Sequence, residues 1–265
     1  MGLVLVLAVF AGFGTLGWYF AKDRIRSQDQ YRLSADKITV SPFPPPDWVS
    51  DRFVEEVLET SGLNRAGALL DNTLPLKLTE AFAAYPWVAE VEQVLPQYPS
   101  GAKVKLSYRE PVALVEIPQR GLFPVDSSGV LLPAEYLKYL SDTNSDRRNQ
   151  HFFIQGIPSM PRGLAGTPWG DPLVQAAAQL AAELSDIAEP LKLVQIIPAV
   201  EATPGGARIV CRLKTAGGTE VYWGSFASDD PKTETKKKRL LNLHEQFRSL
   251  DNVPAQFRPI DLSKE

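Results

Sequence analysis

Hydrophobic and polar positions divide this chain into three textures. In the first, Met1 to Phe20 carry no charged side chain. As a helix rising ~1.5 Å per residue, such a run is roughly 30 Å long, the thickness of a bilayer's hydrocarbon core. It closes on Trp18, Tyr19 and Phe20 and is followed by Lys22, Arg24 and Arg26. Aromatics next to cations are favoured where a helix leaves lipid for water. The pattern predicts a transmembrane anchor over 1–21 and a polar juxtamembrane linker over 22–36. A signal peptide would need a basic leader, a shorter apolar run and a small-residue cleavage site. A buried core helix rarely lacks charge over so many positions. Lys22, Arg24, Arg26 and Arg32, counted alone, hold their side in the cytoplasm. A domain on the outer side is therefore expected together with a basic tail upstream of Met1.

The second texture mixes helical and strand periods. Residues 37–40 form a strand candidate, and Pro42, Pro44, Pro45 and Pro46 then forbid regular structure. Ser50 is placed to cap a helix over about 51–60, with Phe53, Val57 and Leu58 as its apolar stripe and Gly62 as its stop. A second helix is expected over 74–85, carrying Leu76, Phe82 and Ala83 and ended by Pro86. Strands follow at 88–95 and 103–109, joined by a turn at Pro99-Ser100-Gly101. In the later strand Val104, Leu106 and Tyr108 alternate with Lys103, Lys105, Ser107 and Arg109. The order is strand–helix–helix–strand–strand.

The third texture, beyond Pro111, is short strands and turns. Candidates are 112–117, 122–125, 130–132 and 152–155, with a polar insertion at 141–150. An Ala- and Leu-rich amphipathic helix at 171–185 precedes strands at 193–197, 207–213 and 220–223. A last helix over about 231–250 leads to a terminal stretch at 258–262. The expected fold class is α+β: an N-terminal transmembrane helix, a β-α-α-β-β domain over 37–110, and a mixed β-rich domain with flanking helices over 111–265.

Composition narrows the chemistry. The 265 residues are 44% hydrophobic with a net charge of −3, which supports packed cores and gives no global pull toward nucleic acid. Cys211 is the lone cysteine, so no intrachain disulfide forms, and its alternating surroundings predict a buried strand thiol. His151 and His244 have no partner at metal-ligand spacing. Gly205-Gly206 and Gly217-Gly218 read as hairpin turns rather than phosphate loops. No nucleophile–base pair, metal cluster or carboxylate pair stands out, so no catalytic, cofactor-binding or metal-binding residue is expected. The run Lys236-Lys237-Lys238-Arg239 reads as a solvated helix face, or as a contact for anionic headgroups or an acidic partner.

An ordered set of short motifs spans nearly the whole chain. Tyr85-Pro86-Trp87-Val88 leads to Tyr98-Pro99-Ser100, then Arg109-Glu110-Pro111-Val112-Ala113 and Pro124-Val125-Asp126-Ser127-Ser128-Gly129-Val130-Leu131. Later come Gly218-Thr219-Glu220-Val221-Tyr222-Trp223-Gly224, a helix, and Ile260-Asp261-Leu262. With the preceding anchor, this set resembles the FtsQ/DivIB cell-division proteins. The resemblance implies a POTRA domain over 37–110 and a β-rich domain over 111–265, both outside the cytoplasm. It implies a single-pass protein of the inner membrane at the division site, without enzymatic activity, acting as a septal scaffold that receives FtsB/FtsL-like coiled-coil partners. It implies neither nucleic acid nor small-molecule substrate. The expected partner surface is the 220–223 strand, the helix after it and 258–262, with Tyr222, Trp223, Arg258 and Ile260 as contact residues. An unpaired strand edge there adds a partner strand, with Tyr222 or Trp223 as an exposed anchor; alternatively both aromatics pack within the sheet. The competing class is a POTRA-bearing component of secretion or outer-membrane assembly. That class usually repeats its POTRA unit and ends in a series of ~10-residue amphipathic membrane strands. A third class is an anchored enzyme.

Overall fold

The computed structural model describes residues 33–64, 72–97, 101–142, 151–204, 206–226 and 231–263. The chain divides into two units, one ending at Tyr108 and the other beginning at Arg109.

In the first unit β1 (Ile38–Ser41), α1 (Phe53–Ser61), α2 (Leu74–Ala83), β2 (Val88–Gln97) and β3 (Gly101–Tyr108) follow one another. The sheet order is β1-β3-β2. β2 and β3 are antiparallel, while β1 lies parallel to β3, a pairing that needs a long crossover. The two helices supply it. Phe53, Val57 and Leu58 of α1 and Leu74, Leu78 and Phe82 of α2 are buried, as are Val104 and Leu106 of β3 and Trp87 just before β2. Phe53 meets Phe82 edge-on at 6.3 Å and Tyr108 at 6.0 Å. α1 starts at Phe53, because Ser50 forms a turn of its own: its Oγ accepts from the Arg52 N–H at 3.2 Å. Gly62 ends the helix at φ +67°, and the Leu63 N–H reaches back to the Leu58 carbonyl, closing orphan carbonyls of the last turn.

The second unit contains β4 (Pro111–Ile117), β5 (Gly121–Asp126), α3 (Glu135–Asp142), β6 (Phe152–Ile154), α4 (Pro172–Glu183), α5 (Ser185–Leu191), β7 (Leu193–Thr203), β8 (Gly206–Thr215), β9 (Glu220–Ser225), α6 (Lys232–Phe247) and β10 (Ile260–Asp261). They build one seven-stranded mixed sheet in the order β10-β9-β8-β7-β6-β4-β5. The pairs β4–β5, β7–β8 and β8–β9 are antiparallel; β4–β6, β6–β7 and β9–β10 are parallel. α4 lies against β4, β6, β7 and β8. Its Val174, Ala177, Ala178, Leu180 and Ala181 share a core with Val115, Ile154, Ile196, Leu213, Val221 and Trp223. The Asp171 carboxylate caps α4 by accepting from the Leu173 N–H at 2.9 Å. Leu114 alternates to the other face of β4. α3 lies against β5, and Leu132, Tyr136 and Leu140 are also buried outside the main core.

The fold class is corrected by this architecture. The described chain is α+β with mixed sheets, and among the described residues no helix is long and apolar enough to cross a membrane. The longest described helix, α6, has 16 residues, short of the ~20 apolar residues a span needs, and it carries charge along its length. The anchor expected over 1–21 lies outside the described residues. The readings built on that anchor are corrected with it: the bitopic scaffold of the septal complex, the single-pass membrane contact with its division partners, and the placement in the inner membrane. Smaller differences are local. The expected strand at 130–132 is reduced to isolated bridges, Val125 with Leu131 and Val130 with Pro168.

Candidate functional site

The sheet of the second unit has two ends, and they are treated differently. At one end β5 is covered: Leu132 donates to the Pro124 carbonyl at 2.8 Å, and Leu131 bridges Val125. At the other end β10 is the last strand. It runs parallel to β9, with Ile260 opposite Val221 and Asp261 opposite Tyr222, and the Leu262 N–H donates to the Tyr222 carbonyl at 2.9 Å. Backbone polar groups alternate sides along a strand. With Leu262 facing β9, the N–H and C=O of Asp261 face outward, where no further strand lies among the described residues.

Beside this edge runs a groove of about 490 Å³ between the second half of α6 and the segment leading into β10. Leu243, Phe247, Val253, Phe257 and Ile260 supply its apolar lining, and Arg239, Gln246, Gln256 and Asp261 its polar part. Phe257 is 59% exposed. The apolar members on α6, Leu243 and Phe247, fall within the helix expected over about 231–250, but no stripe is read there. No periodic signal pointed to Phe257, which lies in a 3-10 turn over Ala255–Phe257.

The structure brings Tyr222, Trp223, Arg258 and Ile260 to this end of the sheet, in different roles. Trp223 is fully buried. The Lys236 ammonium sits 5.1 Å from its ring centroid and donates to its carbonyl at 2.9 Å, so the ring presents no surface to a partner. Tyr222 is half-buried and points the other way; its hydroxyl donates to Glu201 at 3.4 Å. Glu201 also pairs with Arg208 at 2.7 Å. Burial, then the Glu201 charge, push the Tyr222 hydroxyl above the ordinary tyrosine value. Ile260 is buried and contributes its place in the strand rather than an exposed side chain. Arg258 is exposed but its guanidinium is bound to backbone, donating from Nε to the Val253 carbonyl at 2.7 Å and from Nη2 to the Asp251 carbonyl.

Other candidates take structural positions. In the basic run, Lys236 is held by Trp223, and Lys237 is buried, pairing with Asp186 at 2.9 Å and donating to the Glu183 carbonyl at 3.0 Å. Two of its four cations thus fasten α6; Lys238 and Arg239 are exposed, Arg239 at the groove. His151 hydrogen-bonds the Tyr136 hydroxyl through Nε2 at 2.8 Å, and His244 lies on α6. Among the described residues no group of three or more His, Cys, Asp or Glu could hold a metal ion. Cys211 is fully buried in β8, and burial pushes its thiol up to about 12. At neutral pH the native protein is therefore expected to resist thiol alkylation over hours, and to react within minutes in denaturant. Modification of the native protein at the denatured rate would contradict this packing.

No protein-family model matches the chain, and no curated protein matches it.

Proposed function

We propose that this chain is a non-catalytic protein-binding module that takes an extended segment of a partner polypeptide onto the outer edge of β10 as an added strand. The observation that carries the reading is that β10, the last strand of the sheet among the described residues, lies beside an apolar groove. Main-chain hydrogen bonds to the edge give affinity, each worth ~0.5–1.5 kcal/mol net. Alternate side chains of the added strand, directed toward α6, give specificity through the groove. The chemistry that fits is an extended segment with an apolar side chain opposite Leu243, Phe247 and Phe257. The resemblance to FtsQ/DivIB proteins, a family without enzymatic activity, supports binding over catalysis.

The β2 edge of the first unit is less suited to this. β2 is long, but its pairing with β3 is interrupted between Val88 and Glu90 and between Val91 and Gln93, and it carries Glu90, Glu92 and Pro96. Irregular pairing, charge and proline are the devices that keep an edge from adding strands.

The test is a pair of substitutions at one position. Short random peptides displayed on phage are selected against the folded protein, and a binder is measured by calorimetry against two variants. Asp261→Ala keeps the outward N–H and is expected to bind within about threefold of the parent. Asp261→Pro removes that donor and places a ring on the edge, and is expected to lose affinity about tenfold or more. Equal binding by the two variants would rule out strand addition at β10.

A further inference from the structure

We infer that Asp251 is the latch that fixes β10 in position to receive a strand; this rests on the proposed use of the β10 edge. β10 has two residues, and so short a ladder does not hold itself in place. The segment before it must therefore be fastened elsewhere. After α6 the chain makes a 3-10 turn over Leu250–Asn252, where the Ser249 hydroxyl oxygen accepts from the Asp251 N–H at 3.2 Å. The Asp251 side chain then crosses to the β8–β9 turn, where its carboxylate accepts from the Thr215 hydroxyl.

That turn is itself stiff. Thr215 and Thr219 are buried, the Thr215 N–H donates to the Thr219 carbonyl at 3.0 Å, and the Thr219 N–H donates to Thr215 Oγ1 at 3.0 Å. Gly217 leaves the space the carboxylate occupies: a Cβ there would lie 2.4 Å from Asp251 Oδ2. On its other side the Asp251 carbonyl accepts from Arg258, which stands two residues before β10 and whose Nε also holds the Val253 carbonyl. One residue thus ties the β8–β9 turn to the chain that enters β10. Burial works to raise the Asp251 carboxyl, but hydrogen bonding from the Thr215–Thr219 turn and the Arg258 charge outweigh it and hold it below the usual carboxylate range. The ion therefore favours the latched form. A pre-positioned edge spares a partner strand the cost of ordering it.

Asp251→Asn weakens the contact from one side and Gly217→Ala obstructs it from the other. The measurement is amide exchange of the free protein by NMR, followed by titration with the peptide selected above. In each variant the Leu262 N–H, bonded to Tyr222, is expected to exchange about tenfold faster or more, while Leu213 and Val221 amides keep their protection. Peptide affinity is expected to fall in parallel, and the double variant to be no worse than the worse single one, since both act on one contact. Unchanged Leu262 exchange overturns the latch, and so does faster exchange spread evenly over the unit. If Leu262 exchange quickens but the parent protein takes the peptide away from β10, the latch stands and the strand-addition reading falls.

Discussion

Asp126→Ala is expected to destabilise the second unit by about 3–5 kcal/mol, the cost of breaking a buried ion pair from one side. Asp126 is 5% exposed. Its Oδ2 accepts from Arg109 Nη1 at 2.6 Å, and its Oδ1 accepts from the Ser128 and Val130 N–H groups, both at 2.9 Å. Its backbone shapes the same turn: the Gly129 N–H donates to the Asp126 carbonyl, and the Asp126 N–H to the Val130 carbonyl. Gly129 permits the turn at φ +74°, with the Gln175 backbone of α4 close to where a Cβ would stand. Removing the carboxylate leaves a largely buried guanidinium without its counter-ion and two amides without acceptors. Asp126→Asn keeps one acceptor oxygen and is expected to fall between the two. Thermal unfolding reads the effect as a fall in Tm on the order of 10 °C. A loss for Asp126→Ala below about 1 kcal/mol, typical of exposed pairs, would show that the pair carries little.

The second large effect separates two neighbours. Trp223→Ala is expected to cost about 3–5 kcal/mol, because it empties a fully enclosed site in the core shared with Leu213, Val221, Leu240 and Ile260. Tyr222→Ala is expected to cost about 1 kcal/mol, since the ring is half in water and its hydroxyl holds a long bond. Urea unfolding followed by circular dichroism distinguishes them. Equal losses at the two positions would contradict the assigned faces of β9. The two residues also differ in use, for Tyr222 reaches Glu201 on the outer face of the sheet while Trp223 holds β9 and α6 together.

Much of the fold was legible because period and punctuation agreed. In the first unit the Phe53–Val57–Leu58 stripe, Gly62, Pro86 and the alternation from Lys103 to Tyr108 each gave an element within a few residues of its observed bounds. In the second unit three elements were misread for identifiable reasons. α3 carries Tyr136 and Leu140 one helical turn apart, but it is short and runs into polar sequence. α5 contains Pro190, which reads as a break. β7 runs on to Thr203 through Pro198, because β6 is only three residues long and pairs with β7 at Gln195 and Ile196. Past that point a missing N–H on that side costs no ladder bond. The site was legible in part. The expectation that the 220–223 strand and 258–262 share one surface came from the family resemblance alone, and parallel pairing of β10 with β9 leaves no mark on periodicity. Nor could alternation alone say that Trp223 faces inward and Tyr222 outward. The groove depends on a turn returning from α6, and the Asp251 contact spans 36 positions to Thr215; neither has a local signal.

Strand addition at β10 is read most directly from the amides of that strand. Amide exchange of the protein with and without a selected peptide measures it. Binding is expected to slow exchange at Asp261 and to leave the β2 edge of the first unit unchanged. Protection that develops along β2, or anywhere other than β10, with Asp261 exchanging at its free rate, would contradict it.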